Sequence, residues 1–132
     1  MAFVITQGEL EYEAGLLLTG KTYKVFLATT GSLTIASTLS AWEAAELAIT
    51  AGYAAVTGTV GTGSYNATTG RFEAPVITGQ FGPATGAGFT FDAMVIKLPS
   101  RTKPYAVNLY STPVTLAAGQ SRGFSITLGV KP

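Results

Sequence analysis

Residues 119–123, Gly-Gln-Ser-Arg-Gly, fit the G-x-S-x-G spacing with which serine hydrolases present a nucleophile between a buried strand and a helix. The chemistry fails at the next step. A serine hydroxyl needs a general base to take its proton, and the chain contains no histidine. The flanking residues, TLAAGQSRGFSITL, read as strand, turn and strand, so Gly119–Gly123 is expected to be a turn. Metal chemistry is equally constrained. With neither histidine nor cysteine, only oxygen donors remain, which leaves calcium or magnesium as candidates. Glu9, Glu11 and Glu13 are the densest acidic stretch. Read as an alternating strand they form a row at intervals of about 6.7 Å, a solvated or edge-protecting face rather than a cage. Nothing marks two of the carboxylates as a glycosidase pair facing across a groove. The glycine-rich run GPATGAGF at 82–89 lacks the Lys-Ser/Thr of a phosphate loop, and Asn66-Ala67-Thr68 matches a glycosylation sequon that has no use without secretion. No catalytic residue, cofactor or metal is therefore expected, and the chain reads as non-enzymatic.

The elements that would position any site are mostly strands. ELEYEAG alternates Glu9, Glu11 and Glu13 with Leu10, Tyr12 and Ala14 and reads as a half-buried strand. KTYKVFLAT, GYAAVTGTV, RFEAPVITG, GFTFDAMVIKL, KPYAVNLYS, PVTL and GFSITLGV follow at short spacing, most of them separated by Gly or Pro. SYNATTGRFEAP at 64–75 reads as a hairpin, with Asn66 to Gly70 making the reversal between Tyr65 and Phe72, and Pro75 suiting a sheet edge. STLSAWEAAELA reads as a short helix near residues 40–49, with Ser40 as N-cap, Glu43 completing a capping box, and Trp42, Ala45 and Ile49 on one stripe. The expected fold is mainly β: an antiparallel sandwich or jelly roll of about eight strands with that one helix. Residues 1–132 are read as one domain, with residues 1–8 as an extended N-terminal arm.

Composition narrows the partners. Charged residues make up only 11% of the chain, against about 25% in an average soluble domain, while 47% are apolar. A coat of Thr and Ser rather than Lys and Glu suits surfaces that become covered in an assembly, where a stripped charge would be costly. The net charge of +1 argues against a nucleic-acid binder, which needs a dense basic footprint. No apolar run approaches the ~18 residues needed to cross a membrane. The opening MAFVITQGEL lacks the basic and apolar regions of a secretory signal, so folding in the cytoplasm of the producing cell is expected. Residues 1–70 hold Lys21 and Lys24 against Glu9, Glu11, Glu13, Glu43 and Glu46, a balance of −3. Residues 71–132 hold Arg71, Lys97, Arg101, Lys103, Arg122 and Lys131 against Glu73 and Asp92, a balance of +4. Subunits meeting acidic side to basic side are one way to use that asymmetry.

Several stretches together resemble small virion proteins of tailed bacteriophages: TYKVFLATT, TLSAWEAAELAITAGYAAVTGTV, GSYNATTGRFEAP, the glycine-rich step into FTFDAMVIKL, and PVTLAAGQSRGFSITLGV. The last is the most telling, with Pro, a short strand, an Ala-Gly-Gln turn and a final apolar strand. YNATTGRF alone also resembles a hairpin of the trimeric heads of tumour necrosis factor-like proteins and of some phage fibres, although the sequence departs from that pattern after Pro75. The virion resemblance implies a capsid decoration (cement) protein: a β domain, most often a homotrimer, that bridges major capsid protein subunits and acts in the virion after synthesis in the host cytoplasm. A tail, baseplate or fibre component that binds host glycan is the alternative, with Trp42, Tyr53, Tyr105 or Tyr110 stacking on sugar. Expected assembly contacts are Phe3, Val4, Ile5 and Thr6, as an arm adding to a neighbouring sheet, and Arg101 and Lys103 in the basic loop LPSRTKPY.

Overall fold

A computed structural model describes residues 6–130. Its elements in chain order are α1 (Gln7–Leu17), β1 (Thr22–Ala28), α2 (Leu39–Ala44), β2 (Val56–Thr59), β3 (Ser64–Asn66), β4 (Arg71–Glu73), β5 (Ile77–Phe81), β6 (Phe89–Lys97), β7 (Ala106–Leu116), β8 (Arg122–Ile126) and β9 (Gly129–Val130). The fold is mainly β, as expected, with antiparallel pairing and two helices rather than one. Hydrogen bonding arranges the strands as β2-β1-β6-β7, β3-β4-β9 and β5-β8. The described chain falls into two compact units. The first takes the residues up to Thr22, Thr59–Thr78 and the residues from Ser125 on; the second takes Tyr23–Gly58 and Gly79–Phe124.

The first unit corrects the reading of ELEYEAG as a strand: these residues are the middle of α1. Both periods fit the letters, since Leu10, Tyr12 and Ala14 alternate while Leu10, Ala14 and Leu18 recur every four residues. The second spacing is the one that is buried, and Tyr12 stays 63% exposed. Thr6 starts the helix, its hydroxyl accepting from the Glu9 N–H at 3.2 Å. The stretch read as an extended arm is thus helical from Gln7, and residues 1–5 lie outside the described residues. Leu10 and Ala14 pack on Phe72, with Tyr65 and Val130 beside them, so α1 covers the β3-β4-β9 sheet.

The hairpin forms as read over Ser64–Glu73, whereas Pro75, read as an edge residue, falls outside any strand, after β4, the central strand of its sheet. Tyr65 lies opposite Phe72, and Gly70 takes φ +66° while its N–H bonds Asn66 O at 2.9 Å. The Asn66 Oδ1 accepts from the Thr68 N–H at 2.9 Å, and its Nδ2 donates to Glu73 Oε1 at 2.7 Å, so one side chain holds both the turn and the strand beyond it. Gly63, just before β3, runs so close to β4 that a Cβ there would collide with the Glu73 carbonyl.

In the second unit β1 and β6 are the inner strands, and their residues are buried on both faces: Val25 to Ala28 in β1, and Phe91 with Ala93 to Ile96 in β6. Phe26, Ala28, Ala93 and Val95 share one face and receive Trp42 from α2. A buried tryptophan covers about 200 Å², worth on the order of 5 kcal/mol by area. The short helix is confirmed in place but not in detail. Its N-cap is Thr38, which accepts from the Ala41 N–H at 3.3 Å, rather than Ser40. It ends at Ala44, which leaves Ile49 off the expected stripe and 79% exposed.

KPYAVNLYS and PVTL, read as two strands, form the one outer strand β7. Ala93 pairs with Leu109 and Phe91 with Val114, so Tyr110 to Pro113 stand opposite Asp92 alone. Pro113 lies in that bulge, where no ladder bond is lost.

Candidate functional site

Four of the seven acidic residues are engaged by neighbours of their own fold. Lys24 Nζ donates to Glu46 Oε1 at 2.8 Å and Lys97 Nζ to Glu43 Oε2 at 3.1 Å. Glu73 accepts from Asn66, and Asp92 Oδ1 accepts from the Thr30 N–H at 2.6 Å and hydroxyl at 2.8 Å. Glu46 and Asp92 join loops to strands, Glu43 joins α2 to β6, and Glu73 braces the β3–β4 hairpin. Glu43, offered by the sequence as a cap, instead pairs across 54 residues. Among the described residues no group of acidic side chains is placed to hold a metal ion.

Glu46 also joins the most buried polar cluster. The Tyr53 hydroxyl donates to Glu46 Oε2 at 2.7 Å and accepts from the Leu27 N–H at 3.1 Å. Burial above all, together with the Glu46 carboxylate, pushes the Tyr53 phenol well above its ordinary value, against the pull of the Leu27 N–H. A neutral phenol therefore ties the 45–55 segment to β1. Its role is structural, as is that of Trp42, and both side chains are fully enclosed. Neither can stack on a sugar, which corrects half of the glycan-stacking set. Tyr105 and Tyr110 are partly exposed, and each faces a guanidinium: Arg101 lies 5.8 Å from the Tyr105 ring and Arg122 5.6 Å from the Tyr110 ring.

The turn read at Gly119–Gly123 is made by Ala117–Gln120, and Arg122 and Gly123 already belong to β8. Gln120 Oε1 accepts from the Ala117 N–H at 2.8 Å, and the Gln120 carbonyl accepts from the Ala84 N–H at 2.8 Å. Thus Gln120, not Ser121, gives this motif its purpose. In the first unit an open hollow of about 340 Å³ is lined by Thr62, Ser64, Glu73, Pro75, Val76 and Thr127. Its single carboxylate is already committed to Asn66, which leaves hydroxyls and a half-apolar floor.

The expected contact residues divide as follows. Phe3, Val4 and Ile5 lie outside the described residues, and Thr6 serves as the cap of α1. Arg101 and Lys103 sit together on the β6–β7 loop, which is held at both ends. Leu39 N–H bonds Thr102 O, and Tyr105 N–H bonds Ile96 O, each at 2.8 Å. Sequence reasoning missed the outward side of α1, where Tyr12 and Leu16 are 63% and 55% exposed. Their four-residue spacing was the available signal. It also missed the Arg122–Tyr110 stack, for which no local signal exists. No protein family, curated protein or solved structure matches this chain.

Proposed function

We propose that this chain is a non-enzymatic structural component of a tailed-phage virion, acting as a capsid decoration protein. The observation that carries the reading is the resemblance spread over most of the chain, above all its closing PVTLAAGQSRGFSITLGV. Three features support it. The fold is mainly β. Its carboxylates are largely spent on holding the fold together. Its exposed apolar side chains, in a chain of which only 11% is charged, suit a surface that is covered in an assembly.

The mechanism is linkage. Copies of the chain, arranged as a homotrimer, bind major capsid protein subunits only where the shell has brought these together. Binding the assembled state alone stabilises it by RT ln(1 + [L]/Kd), about 2.7 kcal/mol per site at a hundredfold excess over Kd. Neither nucleic acid nor a membrane is needed. A reconstruction of the intact particle tests the reading: density for this fold on the outer shell is expected. Density on the tail alone replaces it with a tail or fibre role, and absence from the particle removes both.

A further inference from the structure

With internally engaged carboxylates set aside, Glu9, Glu11 and Glu13 remain, all on α1 in the first unit. Among the described residues none of their side chains has a partner. Glu9, Tyr12, Glu13 and Leu16 fall at i, i+3, i+4 and i+7, one face of the helix, opposite the buried Leu10 and Ala14. Two bulky apolar side chains thus stand in solvent beside two carboxylates. The second unit carries the opposite sign. Lys103 stands on the loop before β7, and Arg122 opens β8 with its guanidinium beside Tyr110 of β7. The Arg122 guanidinium lies 5.6 Å from the centre of the Tyr110 ring, and both Arg122 and Leu109 of β7 are exposed, Leu109 by 44%.

We propose that the outer face of α1 in one copy docks on the Lys103/Arg122 flank of β7 in a second copy. Opposite charge and matching apolar content on two surfaces of the same chain identify the occupant as another copy. Such a head-to-tail contact leaves each copy with one surface of each kind to offer, and a closing rotation makes a ring. The inference supplies the subunit contact of the assembly reading above and rests on it. Main-chain strand addition at β7 is not the mode, because the bulge and Pro113 interrupt that edge.

Light scattering across a concentration series tests the contact. The wild-type chain is expected to associate at low salt and to dissociate as salt rises from about 0.05 to about 0.5 M. Glu9→Lys with Glu13→Lys, and separately Lys103→Glu with Arg122→Glu, should each weaken association about tenfold or more. Combining all four in one chain should restore it, with circular dichroism showing each variant folded. Leu16→Ser should weaken association without any change of charge. The proposal fails if the wild type is monomeric at about 1 mM, if both double variants keep the wild-type mass, or if the folded four-fold variant stays dissociated. It also fails if the double variants, as monomers, still decorate shells normally, since α1 and β7 would then serve no copy–copy contact. In any of these cases, density on the shell would leave the virion reading standing.

Discussion

The two units solve the burial problem in different ways. The second encloses two strands on both faces, fills the space beneath a short helix with the chain's only tryptophan, and stitches its loops with ion pairs and a buried phenol. The first lays one eleven-residue helix over a three-stranded sheet whose strands are two or three residues long. Its small cluster of Leu10, Ala14 and Phe72 leans on turn chemistry at Asn66 and Gly70. Interior packing supports both units, and in the first it is joined by local hydrogen bonding at the 66–70 turn.

Truncation at the centre of the stronger unit should cost most. Trp42→Ala is expected to lose about 4 kcal/mol in urea unfolding, since the enclosed site cannot collapse around the loss. Next comes Leu10→Ala in the first unit, at about 3 kcal/mol. Tryptophan fluorescence, which reports the second unit alone, should then change less than the helical dichroism of α1. Equal responses would dissolve the contrast between the units. Tyr53→Phe should cost about 2 kcal/mol, because it strips a partner from the buried Leu27 N–H and from Glu46. The same variant carries a pH signature. The folded state holds the Tyr53 proton above the ordinary value near 10, whereas the unfolded chain releases it there. Stability is therefore expected to fall as pH rises past about 10, and Tyr53→Phe should flatten that decline. The smallest effect is that of Thr6→Ala, about 1 kcal/mol, with faster amide exchange confined to the first turn of α1.

What could be read in the letters was local. The hairpin over Ser64–Glu73 was legible because its turn residues act on neighbours two to four positions away. The α1 segment was not, because two periods fit it and the deciding contact, Phe72, lies far along the chain. The Thr6-x-x-Glu9 spacing was the one short-range hint of a helix start. Pro113 suggested a break between strands, yet a proline inside a bulge leaves β7 paired with β6 on either side of it. For the candidate surface, loop membership placed Arg101 and Lys103 together. The sorting of paired from unpaired charge could not be read, since Lys24 meets Glu46 across 22 residues and Lys97 meets Glu43 across 54.

The bulge in β7 has a further consequence, for solubility. An outer strand of eleven residues is long enough to template sheet growth from one molecule to the next. Tyr110 to Pro113 cut that template in two, and the proline offers no N–H to an incoming strand. The chain can thus remain at high concentration without its sheets joining into fibrils. Replacing Pro113 with a β-branched residue would expose the chain to that fate.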